Sequence, residues 1–354
     1  MRNLFFIERL DRRGNMSEIT KVVVDAMGGD NAPEQLVKGA VEAVNRRADI
    51  KVILTGDKEK IGTILASENY PTDKIEVVHT SEVIGTAESP VAAIRGKKDS
   101  SLVVAMGLVK NGEADALVTA GNTGAVLVGS QLVVGRIKGV ERAPLAVLLP
   151  TAKGLSLLLD CGANVDARSS HLVQFAQMGS IYMEHIMGVK NPTVGIVNNG
   201  AEEEKGNALV KETFPLLREC KEINFVGSVE AREIPAGAVD VMVCEAFVGN
   251  VILKLTEGVA KTLMDTIKKG LMSTTRSKIG AMLAKPALKK TLKTFDISEY
   301  GGAPLLGLRG LVVKTHGSAM AIEVANSIVQ CMKFKEEKIS ERLAAAFKPE
   351  NKES

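Results

Sequence analysis

The chain reads as an α/β protein. Short apolar, β-branched runs alternate with segments of helical periodicity along most of its length. The polar, glycine-rich segments mostly follow the C-terminal ends of those runs, the edge at which open α/β sheets bind ligands. A composition of 45% apolar and 25% charged residues over 354 positions is that of a folded protein, and disorder as the main state is excluded.

The elements follow in order. Lys21–Val24 is a β-branched run ending in Asp25; a glycine-rich turn follows, with Pro33 at the start of a helix over Glu34–Asn45. Strands are expected at Lys51–Thr55 and Glu76–His79, a helix at Ser101–Asn111, and a strand at Ala116–Val118 that opens on Ala120-Gly-Asn-Thr-Gly124. Ala146–Leu149 and Leu155–Leu159 flank a Lys-Gly turn and read as a hairpin. Helices at His171–Met187 and Ala208–Glu219 enclose a strand at Thr193–Val197, and Phe225 heads another short strand. Val239–Cys244 is an apolar strand before a long helix at Asn250–Lys269, and a late strand at Leu311–Val313 precedes a helix over Met320–Met332.

Several function classes drop out early. The net charge is only +3, too small for a polyanion partner over the whole surface. Aromatic residues are 3% of the chain and Trp is absent, which disfavours nucleic-acid binding by stacking. Four widely spaced cysteines (Cys161, Cys220, Cys244 and Cys331), no CxxC and four histidines give no zinc or disulfide framework, so no metal or cofactor is expected and reduced, buried thiols fit a cytoplasmic setting. Residues 1–15 lack the long apolar stretch of a signal peptide and read as an extension without function, with Met16 as the natural start. The uncharged stretch Ala116–Gly135 carries four glycines and a polar AGNTG centre, so strand, turn and helix explain it better than a membrane span.

Six segments could carry chemistry. Asp25-Ala-Met-Gly-Gly-Asp-Asn-Ala-Pro33 sets Gly28 and Gly29 just after a strand, either as a capped turn or as a cradle for an anion. Thr119-Ala-Gly-Asn-Thr-Gly-Ala125 places Asn122 and Thr123 between glycines; it lacks the GK[ST] of a P-loop and is either a plain turn or a donor loop for phosphate or a carbonyl oxygen. Asp160-Cys-Gly-Ala-Asn164 ends an apolar strand, and no neighbouring cation stabilises a Cys161 thiolate. Lys205, Gly206 and Asn207 follow three glutamates on a flexible loop suited to an oxyanion. Glu245-Ala-Phe-Val-Gly-Asn250 has Lys254 one helical turn on, and Lys314, His316 and Ser318 sit among glycines after the late strand. Asn, Lys, Gly and Asp at strand ends position anions and stabilise negative charge, without an obvious protein nucleophile.

A further region stands out by charge. Residues 261–293 carry nine Lys or Arg and one acid, +8, against −5 for the rest of the chain. Leu263, Met264, Ile267 and Leu271, then Ile279, Met282 and Leu283 before Pro286, fall at helical spacing. This is either a solvated basic face over an ordinary core stripe or an amphipathic pair for a membrane surface or an acidic partner.

VDAMGGDNAP, AGNTGA, LLDCGANVD, EEEKGN and EYGGAPLLGLRG…VKTHGS, in this order from about Lys21 to Met332, resemble the bacterial acyl-acyl-carrier-protein:phosphate acyltransferase family, also called the fatty acid/phospholipid synthesis proteins. Two positions depart from the family pattern. Glu245-Ala246 stands where Asp-Gly is usual, so a left-handed turn there would cost energy, and Asn199 replaces an Ile before the acidic run.

The resemblance implies a three-layer α/β/α fold of the isocitrate/isopropylmalate dehydrogenase type, shared with phosphate acetyltransferases, in a homodimer. Residues 16–350 would form one catalytic unit of two subdomains with a cleft between them, and 261–297 a projecting basic helical insertion. The implied reaction joins inorganic phosphate to the acyl group of acyl-acyl-carrier protein, and the acyl phosphate feeds a membrane glycerol-3-phosphate acyltransferase in phospholipid synthesis. A thiol with a pKa near 8.5 leaves without much acid help, and phosphate brings its own nucleophilic oxygen. Positioning and oxyanion stabilisation then dominate. Lys205, Asn250 and His316 are the expected catalytic groups. Asp25, Gly28, Gly29, Asn122, Thr123, Asp160, Asn164, Asn207 and Lys254 are expected around phosphate, with the two aspartates orienting donors. Arg276, Lys278, Lys285, Lys289 and Lys290 would dock the carrier protein or touch the membrane. The rivals are an acetyltransferase using acyl-coenzyme A, a dehydrogenase, and a non-catalytic membrane-recruited scaffold.

Overall fold

The computed structural model describes residues 19–293 and 298–348. The expected extension at 1–15 and the end of the basic segment at 294–297 lie outside the described residues. Two sheets carry the chain. In the first, β1 (Thr20–Asp25) pairs in parallel with β2 (Ile50–Gly56) and β4 (Ala116–Thr119); β3 (Ile75–His79) and β11 (Leu311–Lys314) extend it in parallel, and the short β10 (Ala303–Leu305) runs antiparallel on the β11 edge. In the second, β6 (Gly154–Leu159), β9 (Val241–Val243), β7 (Thr193–Asn198) and β8 (Asn224–Glu230) are parallel neighbours in that order, and β5 (Val147–Thr151) forms the expected hairpin with β6.

Alternation along each strand decides what each face meets. In β1, Val22 and Val24 point into the layer of α1 (Glu34–Arg46) and α10 (Ala321–Glu336), while Val23 points into that of α3 (Pro90–Gly96), α4 (Ser101–Lys110) and α5 (Thr123–Gly129). The second sheet repeats the scheme. Leu157 and Leu159 of β6 face α6 (Ser169–His185) and α7 (Ala208–Glu219), and Leu158 faces the side that takes the first turns of α8 (Ala246–Leu271). Strands buried on both faces have near-continuous apolar runs, which is why they were legible. Isolated bridges between Leu145 and Leu305 and between Arg136 and Leu308 tie the region before β5 to the β10 region.

Some elements differ from expectation. Short α2 (Lys58–Leu65), α3, β10 and the last helix α11 (Ile339–Ala346) are additions. The long helix starts at Ala246 and runs unbroken past residue 261, so the basic segment begins inside a helix. Pro286 lies within α9 (Thr275–Lys293) rather than ending it. Beyond Leu253, α8 and α9 are exposed at nearly every described position, with Ala281 the buried exception. Among the described residues no helix is long and apolar enough to cross a membrane.

Candidate active site

The C-terminal ends of the parallel strands in the first sheet gather three loops. Asp25 ends β1 at 1% exposure; Ser101 Oγ donates to its Oδ1 at 2.6 Å and Thr119 Oγ1 to its Oδ2 at 2.8 Å. Burial raises its pKa, and the two hydroxyls, the Met27 N–H and the Lys314 charge pull against that. A Cβ on Gly28 would stand 2.4 Å from Asp25 Oδ2 and 2.9 Å from the Gly121 nitrogen, so only glycine lets these two backbones meet. Gly29, at φ +101°, brings the same loop against 317, where Asp30 N–H donates to the Gly317 carbonyl at 2.8 Å. Lys314 ends β11, is 8% exposed, and donates from Nζ to the carbonyls of Ala120 (3.3 Å) and Thr315. Burial pushes its pKa down to about 8; Asp25 pulls up, the Lys254 charge pushes further down, and Asp30 pulls up.

The expected residues on this edge hold distinct positions. Asn122 caps α5, with Oδ1 accepting from Ala125 N–H at 3.0 Å, while Nδ2 donates to the carbonyls of Thr86 (2.8 Å) and Gly85 (3.2 Å), so the fold itself uses its carboxamide. Thr123 is exposed at the start of α5. His316 is exposed, and its Nδ1 lies 2.8 Å from Ser318 Oγ.

On the second sheet's edge Asp160, fully buried after β6, accepts five hydrogen bonds. Its Oδ1 takes Leu145 N–H (3.0 Å), Gly162 N–H (3.2 Å) and Ala163 N–H (3.1 Å); its Oδ2 takes Asn164 N–H (2.8 Å) and Asn164 Nδ2 (2.7 Å). Burial raises its pKa while these donors lower it. Asn164 also donates to the Ala143 carbonyl at 3.0 Å. The first turn of α8 lies directly on this knot, since a Cβ on Gly249 would fall 1.9 Å from the Asp160 carbonyl oxygen. Glu245 caps that turn, accepting from Val248 N–H at 3.0 Å and Phe247 N–H at 2.5 Å. Ala246 is the first helical residue and lies outside the left-handed region, so the cost expected for it there does not arise.

Asn250 follows on α8, exposed and with its side chain making no protein hydrogen bond among the described residues, its Oδ1 4.0 Å from where a Gly162 Cβ would stand. One turn on, Lys254 pairs with Glu257 at 2.8 Å. Lys205 and Asn207 belong to the loop after β7, at the same edge but separated from β6 by β9. Asn207 caps α7 through Val210 N–H (2.9 Å), while the Lys205 side chain is exposed and unpaired among the described residues. Cys161 and Cys244 are buried with their thiol pKa values pushed well up by burial, which removes them as nucleophiles.

The first sheet thus brings together Asp25, Gly28, Gly29, Asn122, Thr123 and His316, and the second Asp160, Asn164, Asn250 and Lys254, with Lys205 and Asn207 further along that edge. Arg276, Lys278, Lys285, Lys289 and Lys290 are all exposed on α9. Sequence reasoning missed Ser101 and Thr119, which hold Asp25 from 76 and 94 residues away. It noted Lys314 without giving it a role; the signal was a lysine closing an apolar strand.

Two parallel-rich sheets with polar loops at their strand ends define a mixed α/β class, and comparison bears this out. A solved phosphotransacetylase from Streptococcus pyogenes superposes with a TM-score of 0.61 at 16% identity, covering 90% of this chain and 94% of that one. The family model for fatty acid synthesis protein matches residues 20–342, and the chain belongs to that family. Relatives named phosphate acyltransferase include one from Alkaliphilus oremlandii (strain OhILAs), 51% identical over 326 residues, 92% of this chain and 96% of the relative. Another, from Clostridium acetobutylicum, is 48% identical over 323 residues, 91% and 97% of the two chains.

Proposed function

We propose that this phosphate acyltransferase takes its acyl group from a long-chain acyl-acyl-carrier-protein thioester and passes it to inorganic phosphate, for phospholipid synthesis. A phosphate oxygen attacks the thioester carbonyl, a C–O bond forms, the C–S bond breaks, and the departing thiolate takes up the proton that phosphate gives up. The products are acyl phosphate and free carrier-protein thiol. The observation that carries this reading is a strand edge offering the cation of Lys205 and the amide of Asn250, both exposed and unpaired among the described residues, beside cysteines too deeply buried to attack. Phosphate needs donors there and no protein nucleophile.

Lys205 and Asn250 stabilise the oxyanion or hold phosphate, and His316, Asn207, Lys254, Thr123 and the glycine backbones of Gly28 and Gly29 line the phosphate side. Asp25, Asp160, Asn122 and Asn164 hold the loops that present those donors. The three-layer dehydrogenase-type arrangement, with two subdomains across a cleft, is part of the same proposal, as is the projection of α8 and α9 as a basic hairpin. Arg276, Lys278, Lys285, Lys289 and Lys290 on α9 suit an acidic carrier protein or an anionic membrane face. Val251, Leu255, Val259, Leu263 and Ile267 form an exposed apolar row along α8 that supports a homodimer. The acyl phosphate would pass to a membrane glycerol-3-phosphate acyltransferase, with the enzyme cytoplasmic and in peripheral contact with the membrane.

The test is thiol release from a long-chain acyl-carrier protein with and without inorganic phosphate, with hydroxylamine to trap acyl phosphate. Phosphate-dependent release is expected. Release without phosphate makes the chain a thioesterase, and release only from acyl-coenzyme A makes it the acetyltransferase-like rival.

A further inference from the structure

Among the described residues Lys314 is the one buried lysine, and its surroundings leave it unfinished. An ammonium has three N–H donors. Two meet the backbone carbonyls of Ala120 and Thr315, and among the described residues no third protein acceptor is within reach. Asp25 lies in its field but makes no ion pair with it; the two Asp25 oxygens accept from Ser101 and Thr119. A buried ammonium with a spare donor is costly unless something fills the place.

The surroundings say what fills it. Lys314 closes β11 at the edge where the loops of Gly28 and Gly121 approach without side chains. From α8 of the other sheet, Lys254 is close enough for its charge to act on Lys314, and Asp25 and Asp30 are the acids that face it. Two cations share this space with one buried and one loop carboxylate. Lys254 already has Glu257, so the vacancy belongs to Lys314: a small oxyanion satisfies its spare N–H and answers its charge, whereas a neutral ligand does only the first.

We propose that Lys314 is a direct ligand of inorganic phosphate, working from β11 opposite Lys254. The assignment rests on the transfer reaction argued above. It gives the first sheet a charged donor to match Lys205 and Asn250 on the second.

The test separates the two claims. In steady-state thiol release, Lys314→Met should raise KM for phosphate about 10- to 100-fold, the worth of one charge-assisted hydrogen bond, and leave KM for the acyl-carrier protein unchanged. Lys314→Arg should recover only part of the loss, since a planar fork does not fit a point donor. The pH profile of kcat/KM for phosphate should fall above about pH 8, and Lys254→Met should move that fall to higher pH. A structural role would not produce that shift. Calorimetric titration of the intact protein with inorganic phosphate alone should show binding weakened to the same extent in Lys314→Met. Weakened phosphate binding would uphold the ligand even if the wild type released no thiol, a result that would remove only the reaction. Unchanged phosphate affinity, an equal rise in both KM values, or an alkaline limb unmoved by Lys254→Met would overturn it.

Discussion

Asp160 and Lys314 solve one problem, a charge taken out of water, in opposite ways. Asp160 is surrounded by five N–H donors from Leu145, Gly162, Ala163 and Asn164, so the fold supplies its solvation. Lys314 has two carbonyls, and burial holds its pKa at about 8 against an ordinary 10.5. The unfolded chain keeps that proton up to about pH 10.5 while the folded chain releases it near 8. Stability contributed at this position therefore rises with pH between those values and is lowest below 8. Measured by denaturant unfolding, the wild type should gain roughly 3 kcal/mol over that window relative to Lys314→Met, in which the position cannot titrate. A difference that stays flat with pH would mean that Lys314 is charged to the same degree in both states. Both residues could be picked out in the sequence as polar groups closing apolar strands. Their distant partners could not, because Leu145 reaches Asp160 and Ala120 reaches Lys314 only through the sheet order.

At the scale of elements, what could be read was what periodicity encodes. The central parallel strands are buried on both faces and so show as near-continuous apolar runs. By contrast β10 contains Pro304, which argues against a strand and is tolerated because β10 is a three-residue edge strand. Short α2 and α3 offer too few turns for a helical pattern. The start of α8 at Ala246 rather than Asn250 has a different reason. Glu245-Ala246 looked like a tight turn needing glycine, yet Glu245 is an N-cap and Ala246 the first residue of the helix it caps. The demand for glycine falls three residues later, at Gly249, where a methyl would meet the Asp160 carbonyl at 1.9 Å. Two substitutions separate these positions. Ala246→Gly should cost about 1 kcal/mol, the price of helix propensity, and leave turnover intact. Gly249→Ala should cost more than about 3 kcal/mol, or shift Asn250 beside it and abolish turnover in whatever folds. Thermal unfolding and phosphate-dependent thiol release read both, and the reverse order of effects would contradict this account of the helix start.

Over the whole molecule the charge is divided: +8 within residues 261–293 against a total of +3. The described lysines and arginines of that stretch are exposed on α8 and α9, and the role proposed for them is recruitment. Fields from exposed charges reach about 10 Å at 0.1 M salt and about 3 Å at 1 M. If α9 draws in an acidic carrier protein, raising salt from low to molar should raise the wild-type KM for acyl-carrier protein several-fold and leave KM for phosphate alone. Reversing Lys285, Lys289 and Lys290 to glutamate should raise the former KM at low salt by about tenfold or more and remove most of its salt dependence. Stability should hardly change, because these side chains are exposed and no ion pair among the described residues uses them. Binding to vesicles of anionic lipid, measured by flotation on the same variant, separates the two acidic surfaces. Loss of vesicle binding with KM unmoved assigns the basic face to the membrane. Loss of neither returns it to a solvated helix surface with no part in recruitment.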